Sequence, residues 1–290
     1  RQSPKATLTS ALRQAREWRR TEDNRIQGGI TIYMEGGTYA FHEPVFIRPE
    51  DSGTKESPTI IRSVGDEKVI LSGGISIKGW KKQGKVWVAD VPAFNGRPLD
   101  FRQLWVNGKK AVRARDVEDF EKMNRICSVD EKNEILYVPA VSIRRLIDNK
   151  GNLKAKYAEM VLHQMWCVAN LRIRSVEVQG DSAAIRFHQP ESRIQFEHPW
   201  PHPMVTTDGH NSAFYLTNAR ELQDVPGEWY HDIDARKVYY YPREGEKMQE
   251  AEVIVPAVET LVRVEGTLDR PVRHIRFEKI TFSYTTWMRP

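Results

Sequence analysis

Four short β-branched runs, Ile30–Met34, Val45–Ile47, residues 59–62 and Val69–Ser72, are packed into residues 30–74. Every gap between them carries Gly, Pro or the Asp51-Ser52-Gly53 turn, and none is long enough for the helix of a parallel crossover. The runs are nearly continuous in Ile and Val instead of alternating with polar residues, as strands covered above and below should be. A doubly wound α/β fold is thereby excluded. A solenoid, in which each coil lays one strand on the coil before it, covers such runs, and the right-handed parallel β-helix is the form expected.

Upstream, Leu8, Ala11, Leu12, Ala15 and Trp18 recur at three and four residues, which predicts an amphipathic helix with Thr7 as its N-cap. Laid across an open solenoid end, it would cap the strand edges, with Trp18 in the covered core. After Trp80 the pattern changes. Leu104-Trp105-Val106 runs into Asn107-Gly108, a two-residue hairpin signal. A second hairpin is expected around 126–138, a half-exposed alternating strand at 171–178, and a third hairpin through Asp232 and Asp234. Near Val253 the buried runs return, at 253–256, 261–266 and 274–282. The expected fold is therefore all-β: an N-terminal cap helix and first β-helix coils in 1–80, an antiparallel β insertion domain in 81–252, and resumed coils in 253–290.

Composition bounds the function. The 290 residues are 40% hydrophobic and 29% charged, with no apolar run near the ~20 residues that cross a bilayer. Arg1 follows neither an initiator Met nor an apolar leader. The net charge of +5 is spread over basic pairs such as Arg19-Arg20 and Lys109-Lys110 among acids, a solvated surface and not a nucleic-acid footprint, though compatible with an anionic polysaccharide. Two cysteines, Cys127 and Cys167, give no disulfide framework; one bridge or two buried thiols both fit. No G-x-S-x-G elbow, Walker loop or dinucleotide fingerprint occurs.

Gly36-Gly37-Thr38-Tyr39, Pro49-Glu50-Asp51-Ser52-Gly53, 69–74 and Ile77-Lys78-Gly79-Trp80 resemble the opening coils of bacterial parallel β-helix carbohydrate-active enzymes of the pectate-lyase-like kind, closest to glycoside hydrolase family 141. Residues 102–108, Pro226-Gly227-Glu228-Trp229-Tyr230 and 275–287 are similar to that family's insertion domain and re-entry coil. The resemblance implies a fucosidase- or xylanase-like glycoside hydrolase acting on a carbohydrate outside the cytoplasm, secreted, periplasmic or at the cell surface. No cofactor is expected, and the charge and hydropathy patterns above argue against a nucleic-acid partner and a membrane span. Other classes compatible with the same fold are a non-catalytic carbohydrate-binding protein and a polysaccharide lyase. In the family further coils follow and carry the catalytic carboxylates, so the chain ending at Pro290 is expected to be the N-terminal part of the enzyme, with catalytic residues unassigned.

Substrate contacts are expected from loops that join an aromatic face to polar groups, the way sugar sites are built. His163 and Trp166 in His163-Gln164-Met165-Trp166, His210 in Asp208-Gly209-His210-Asn211, and Trp287 are the candidates. His198 and His202 have the i, i+4 spacing of a helical metal pair, but Pro199, Pro201 and Pro203 forbid the helix, so no metal site is expected. Asp232 and Asp234 are read as turn residues.

Overall fold

A computed structural model describes residues 4–288; the terminal Arg1 and Pro290 lie outside the described residues. Among the described residues the fold is all-β with two α-helices, α1 (Leu8–Arg20) and α2 (Glu191–Glu197), and the chain divides into two compact units. The first takes in the chain up to Ser76, Phe94–Phe101 and Ile254–Trp287, and the second takes in Ile77–Ala93 and Arg102–Val253.

In the first unit, Ile30–Met34 pairs in parallel with Thr59–Ser63, whose other edge pairs with Ile275–Glu278. A second parallel ladder joins Gly37–Ala40, Val69–Ser72 and Ile280–Ser283, and a third joins Val45–Ile47 to Val262–Val264. Met34, Ile47, Ile61 and Leu71 bury one face of these strands against Leu8 and Leu12 of α1. That helix starts where Thr7 Oγ1 accepts from Ser10 N at 3.1 Å, with the Ser10 hydroxyl returning the bond as a capping box. Such a cap contributes about 1 kcal/mol. Arg16 ties the helix down: its guanidinium donates to both oxygens of Asp51, at 2.6 and 2.8 Å, and to Phe46 O at 3.0 Å. Trp18 lies outside that core cluster and stands half-buried beneath the Arg25 guanidinium, 5.0 Å from the ring centroid.

This topology corrects the expected parallel β-helix. The parallel ladders stop at two or three strands, Gly74–Ser76 leaves them to pair antiparallel with Val253–Pro256, and the larger sheets, of five and seven strands, are mixed and antiparallel. No sheet among the described residues closes or winds into a solenoid. A short Ile/Val run is covered equally well by one parallel neighbour on each edge as by a long stack, and its sequence does not distinguish them. The Gly73-Gly74 pair sits where two backbones meet closely. A Cβ on Gly73 would lie 2.5 Å from Val258 Cγ2 and 2.7 Å from the Tyr284 carbonyl, so the glycine permits a close backbone approach.

The second unit is built on an antiparallel seven-stranded sheet. Its order is Asn124–Arg125, Ala213–Thr217, Glu159–His163, Val168–Gln179, Ser182–Phe187, Ile135–Pro139 and Ser128–Asp130. Alternation sends Met160, Leu162, Phe214 and Leu216 into the core and leaves Glu159, Val161, His163 and Tyr215 on the opposite face. Asn107 and Gly108 both take positive φ, 49° and 74°, the signature of a type I′ turn, with Trp105 opposite Lys110. Both cysteines are free thiols. No described helix is long and apolar enough to cross a membrane.

Candidate functional site

The Glu159–His163 and Val168–Gln179 strands form a hairpin in which His163 faces Val168. Its four-residue tip is closed by Gln164 N donating to Cys167 O at 2.9 Å. The closure turns Met165 and Trp166 outward, 59% and 64% exposed. On the neighbouring strand Phe214 faces Leu162, so the segment that precedes Ala213 emerges at the same end of the sheet. That segment contains His198-Pro199-Trp200-Pro201-His202, where the prolines withhold backbone donors and the chain bends through residues 199–201. Trp200 meets Trp166 edge to face, ring centroids 5.3 Å apart and planes at 62°, and His202 meets Trp200 at 5.5 Å and 64°.

Large apolar side chains exposed together mark a contact surface more often than scattered ones do. Here two indoles present rigid apolar area, and the His198 and His202 rings beside them bring hydrogen-bonding nitrogens, with His198 Nδ1 already accepting from Trp200 N at 3.3 Å. The arrangement suits a ligand with an apolar face rimmed by hydroxyls.

His163 sits immediately before the hairpin tip but serves the outer sheet face. Its ring lies 5.4 Å from Phe120 and 5.9 Å from Tyr215, and its Nε2 is buried with no hydrogen-bond partner. Burial, with a smaller contribution from the Arg125 charge, lowers its pKa, which keeps the imidazole neutral at pH 7. His210 follows the turn at Asp208-Gly209, its N–H donating to Asp208 Oδ1 at 3.3 Å, and is exposed at the same sheet end. Trp287 belongs to the first unit and is 61% exposed. The structure therefore joins Trp166 to Trp200 and His202 and sets His163 and His210 at that end of the sheet. Trp200 is the member that sequence reasoning missed. Its signal was present: a tryptophan between prolines cannot belong to a helix stripe or a ladder core.

Several carboxylates are otherwise engaged. Asp234 accepts from Lys156 and Tyr157 at 2.7 and 2.6 Å, and Asp232 Oδ1 accepts from Ala235 N, as turn residues do. Glu265 pairs with Arg263 at 2.8 Å, and Glu278 lies 3.5 Å from Arg62. Asp116, accepting from Leu216 N at 2.8 Å, is pushed up to about 6 by burial. Glu228 is also raised by burial, although it accepts backbone N–H groups from Asp224, Val225 and Arg115. Among the described residues no three His, Cys, Asp or Glu side chains converge as a metal site would require.

A family model described as the GH141 insertion domain matches residues 84–243, which include both tryptophan-bearing loops. A solved structure described as a glycoside hydrolase aligns with TM-score 0.95 and 87% identity over 99% of this chain and 48% of its own. The chain thus spans about half the length of that protein. Another, described as the complex structure of XylC with xylose, aligns with TM-score 0.33 and 15% identity over 91% of this chain and 32% of that one. No curated protein matches.

Proposed function

The chain belongs to the glycoside hydrolases that carry a GH141 insertion domain, and from that premise we propose that the Trp166–Trp200 surface is its glycan platform. It holds a fucose- or xylose-containing polysaccharide or oligosaccharide outside the cytoplasm. The observation that supports this reading is the exposed edge-to-face indole pair inside the matched insertion domain. Two indoles at 62° offer a corner in which one sugar ring stacks on a face while its neighbour meets an edge. His198 and His202 stand where hydroxyls would project.

Cleavage of a glycosidic bond uses two carboxyl groups about 5–10 Å apart, one protonating the leaving oxygen and the other acting as nucleophile or activating water. Asp234, Glu265 and Glu278 are held by basic partners, so their part is structural, and the part assigned to these 290 residues is binding. Isothermal titration with xylo-oligosaccharides and fucosylated oligosaccharides tests the platform. Binding should weaken roughly tenfold in Trp166→Ala. Reducing-sugar assays on the same samples should show no turnover. Unchanged affinity in Trp166→Ala, or turnover that a carboxylate substitution abolishes, would overturn the assignment.

A further inference from the structure

Helix α1 carries Arg13, Arg16 and Arg20 at i, i+3 and i+7, hence on one face, with Arg19 beside them. Together with Glu17, Glu50 and Ser52 they line a cleft of about 760 Å³. Two of the charges there are already answered. Asp51 takes Arg16 at 2.6 Å, and Arg270 takes Glu50 at 3.2 Å. Arg19 donates only to uncharged groups, Ser57 O at 3.1 Å and Thr59 Oγ1 at 2.9 Å, and its Nε is buried with no partner. Arg13 and Arg20 make no ion pair among the described residues.

Three guanidinium charges therefore share one cleft with a single unpaired carboxylate, Glu17, which only Gln14 contacts. Arg20, in the last turn, is accounted for by the helix dipole. Arg13 is not, because it lies well before that turn and three residues from Arg16, a like-charge spacing that weakens a helix. Arg19 also lines a second cleft of about 320 Å³, with Asn24, Gln27, Thr54 and Ser57, the exposed Glu22, and Asp23, which is paired with Arg25 at 2.6 Å. Planar guanidinium forks match carboxylate and sulfate oxygens, and amides and hydroxyls match sugar hydroxyls.

We propose that this cleft binds an acidic glycan, with the anionic group, a uronate carboxylate or a sulfate ester, among Arg13, Arg19 and Arg20 and the adjoining sugar at Asn24 and Thr54. The site lies wholly in the first unit and does not rest on the tryptophan platform. The 290-residue chain is titrated with a galacturonate hexamer, a sulfated hexasaccharide, neutral xylohexaose and inorganic sulfate, at low and high salt. One acidic oligomer should bind, more weakly at high salt, and which one identifies the anion. Arg13→Gln with Arg20→Gln should cost that binding about tenfold or more, and Arg13→Lys with Arg20→Lys should restore part of it. Circular dichroism confirms that helix α1 is retained. The proposal is overturned if the double Gln variant binds the acidic oligomers as the wild type does. It is equally overturned if neither oligomer binds, or if inorganic sulfate binds as tightly as they do.

Discussion

Trp166 and Trp200 meet edge to face across two loops, and each keeps a large part of its surface in water, 64% and 44%. Side chains held this way add little to the fold and much to whatever docks on them. Trp200→Ala should change the thermal midpoint by no more than a degree or two, since surface substitutions generally stay within about 0.5 kcal/mol. The same variant should weaken oligosaccharide binding several-fold. Thermal unfolding and calorimetry on one preparation separate the two effects.

Asp116 makes stability depend on pH in a definite sense. Burial raises its folded pKa to about 6 from the usual value near 3.8, so the folded state holds this proton more tightly than the unfolded chain. Its contribution is fully present below the unfolded pKa and is lost as pH rises through about 6. Asp116→Asn keeps an oxygen for Leu216 N and carries no charge. Relative to wild type it should gain on the order of 1–3 kcal/mol between pH 4 and pH 7. Urea unfolding at both pH values gives the difference, and parallel curves for the two proteins would sink the prediction.

Glu159 is buried, 6% exposed at its side chain, between Arg113 at 2.8 Å and Arg102 at 3.5 Å. Removing the carboxylate leaves two guanidinium groups facing each other with little solvent. Glu159→Ala should therefore destabilise the second unit by about 3–5 kcal/mol. Adding Arg102→Met should recover part of the loss in a denaturant titration, which simple loss of packing would not allow.

At Gly73 a methyl group would fall against Val258 and the Tyr284 backbone. Gly73→Ala should cost about 1–3 kcal/mol, the range for forced overpacking. Gly108 has open space around it but φ of 74°, so Gly108→Val should cost about 1 kcal/mol or more through backbone strain. Midpoints from thermal melts would rank the two, and an unshifted Gly108→Val would mean the hairpin tolerates a different turn.

Local chemistry was legible in the sequence, and the extent of pairing was not. Thr7, the Leu8–Leu12 spacing and Asn107-Gly108 each act over a few residues, and the structure shows the cap, the buried stripe and the positive-φ turn in place. The Ile/Val runs marked strands, but whether a parallel ladder ends after Ile275–Glu278 or winds on depends on residues far apart in sequence. The solenoid expectation failed there. In the candidate site, Trp166 could be picked out because its loop breaks strand alternation. Its partner carries a local signal too, an indole set between prolines, but the contact joins residues 34 apart and no local pattern pairs them.

Asp51 does two jobs with one carboxylate: it accepts from Arg48 N at 2.7 Å, which closes the 49–51 turn, and it clamps Arg16 of helix α1. Its side chain has no exposure at all. The portability of the first unit follows from this. A version trimmed to begin after the helix would carry a buried anion with its guanidinium gone, and that charge would draw the turn toward solvent. Anyone excising, swapping or circularly permuting this unit should place the cut ahead of Thr7, or replace Asp51 in the same step.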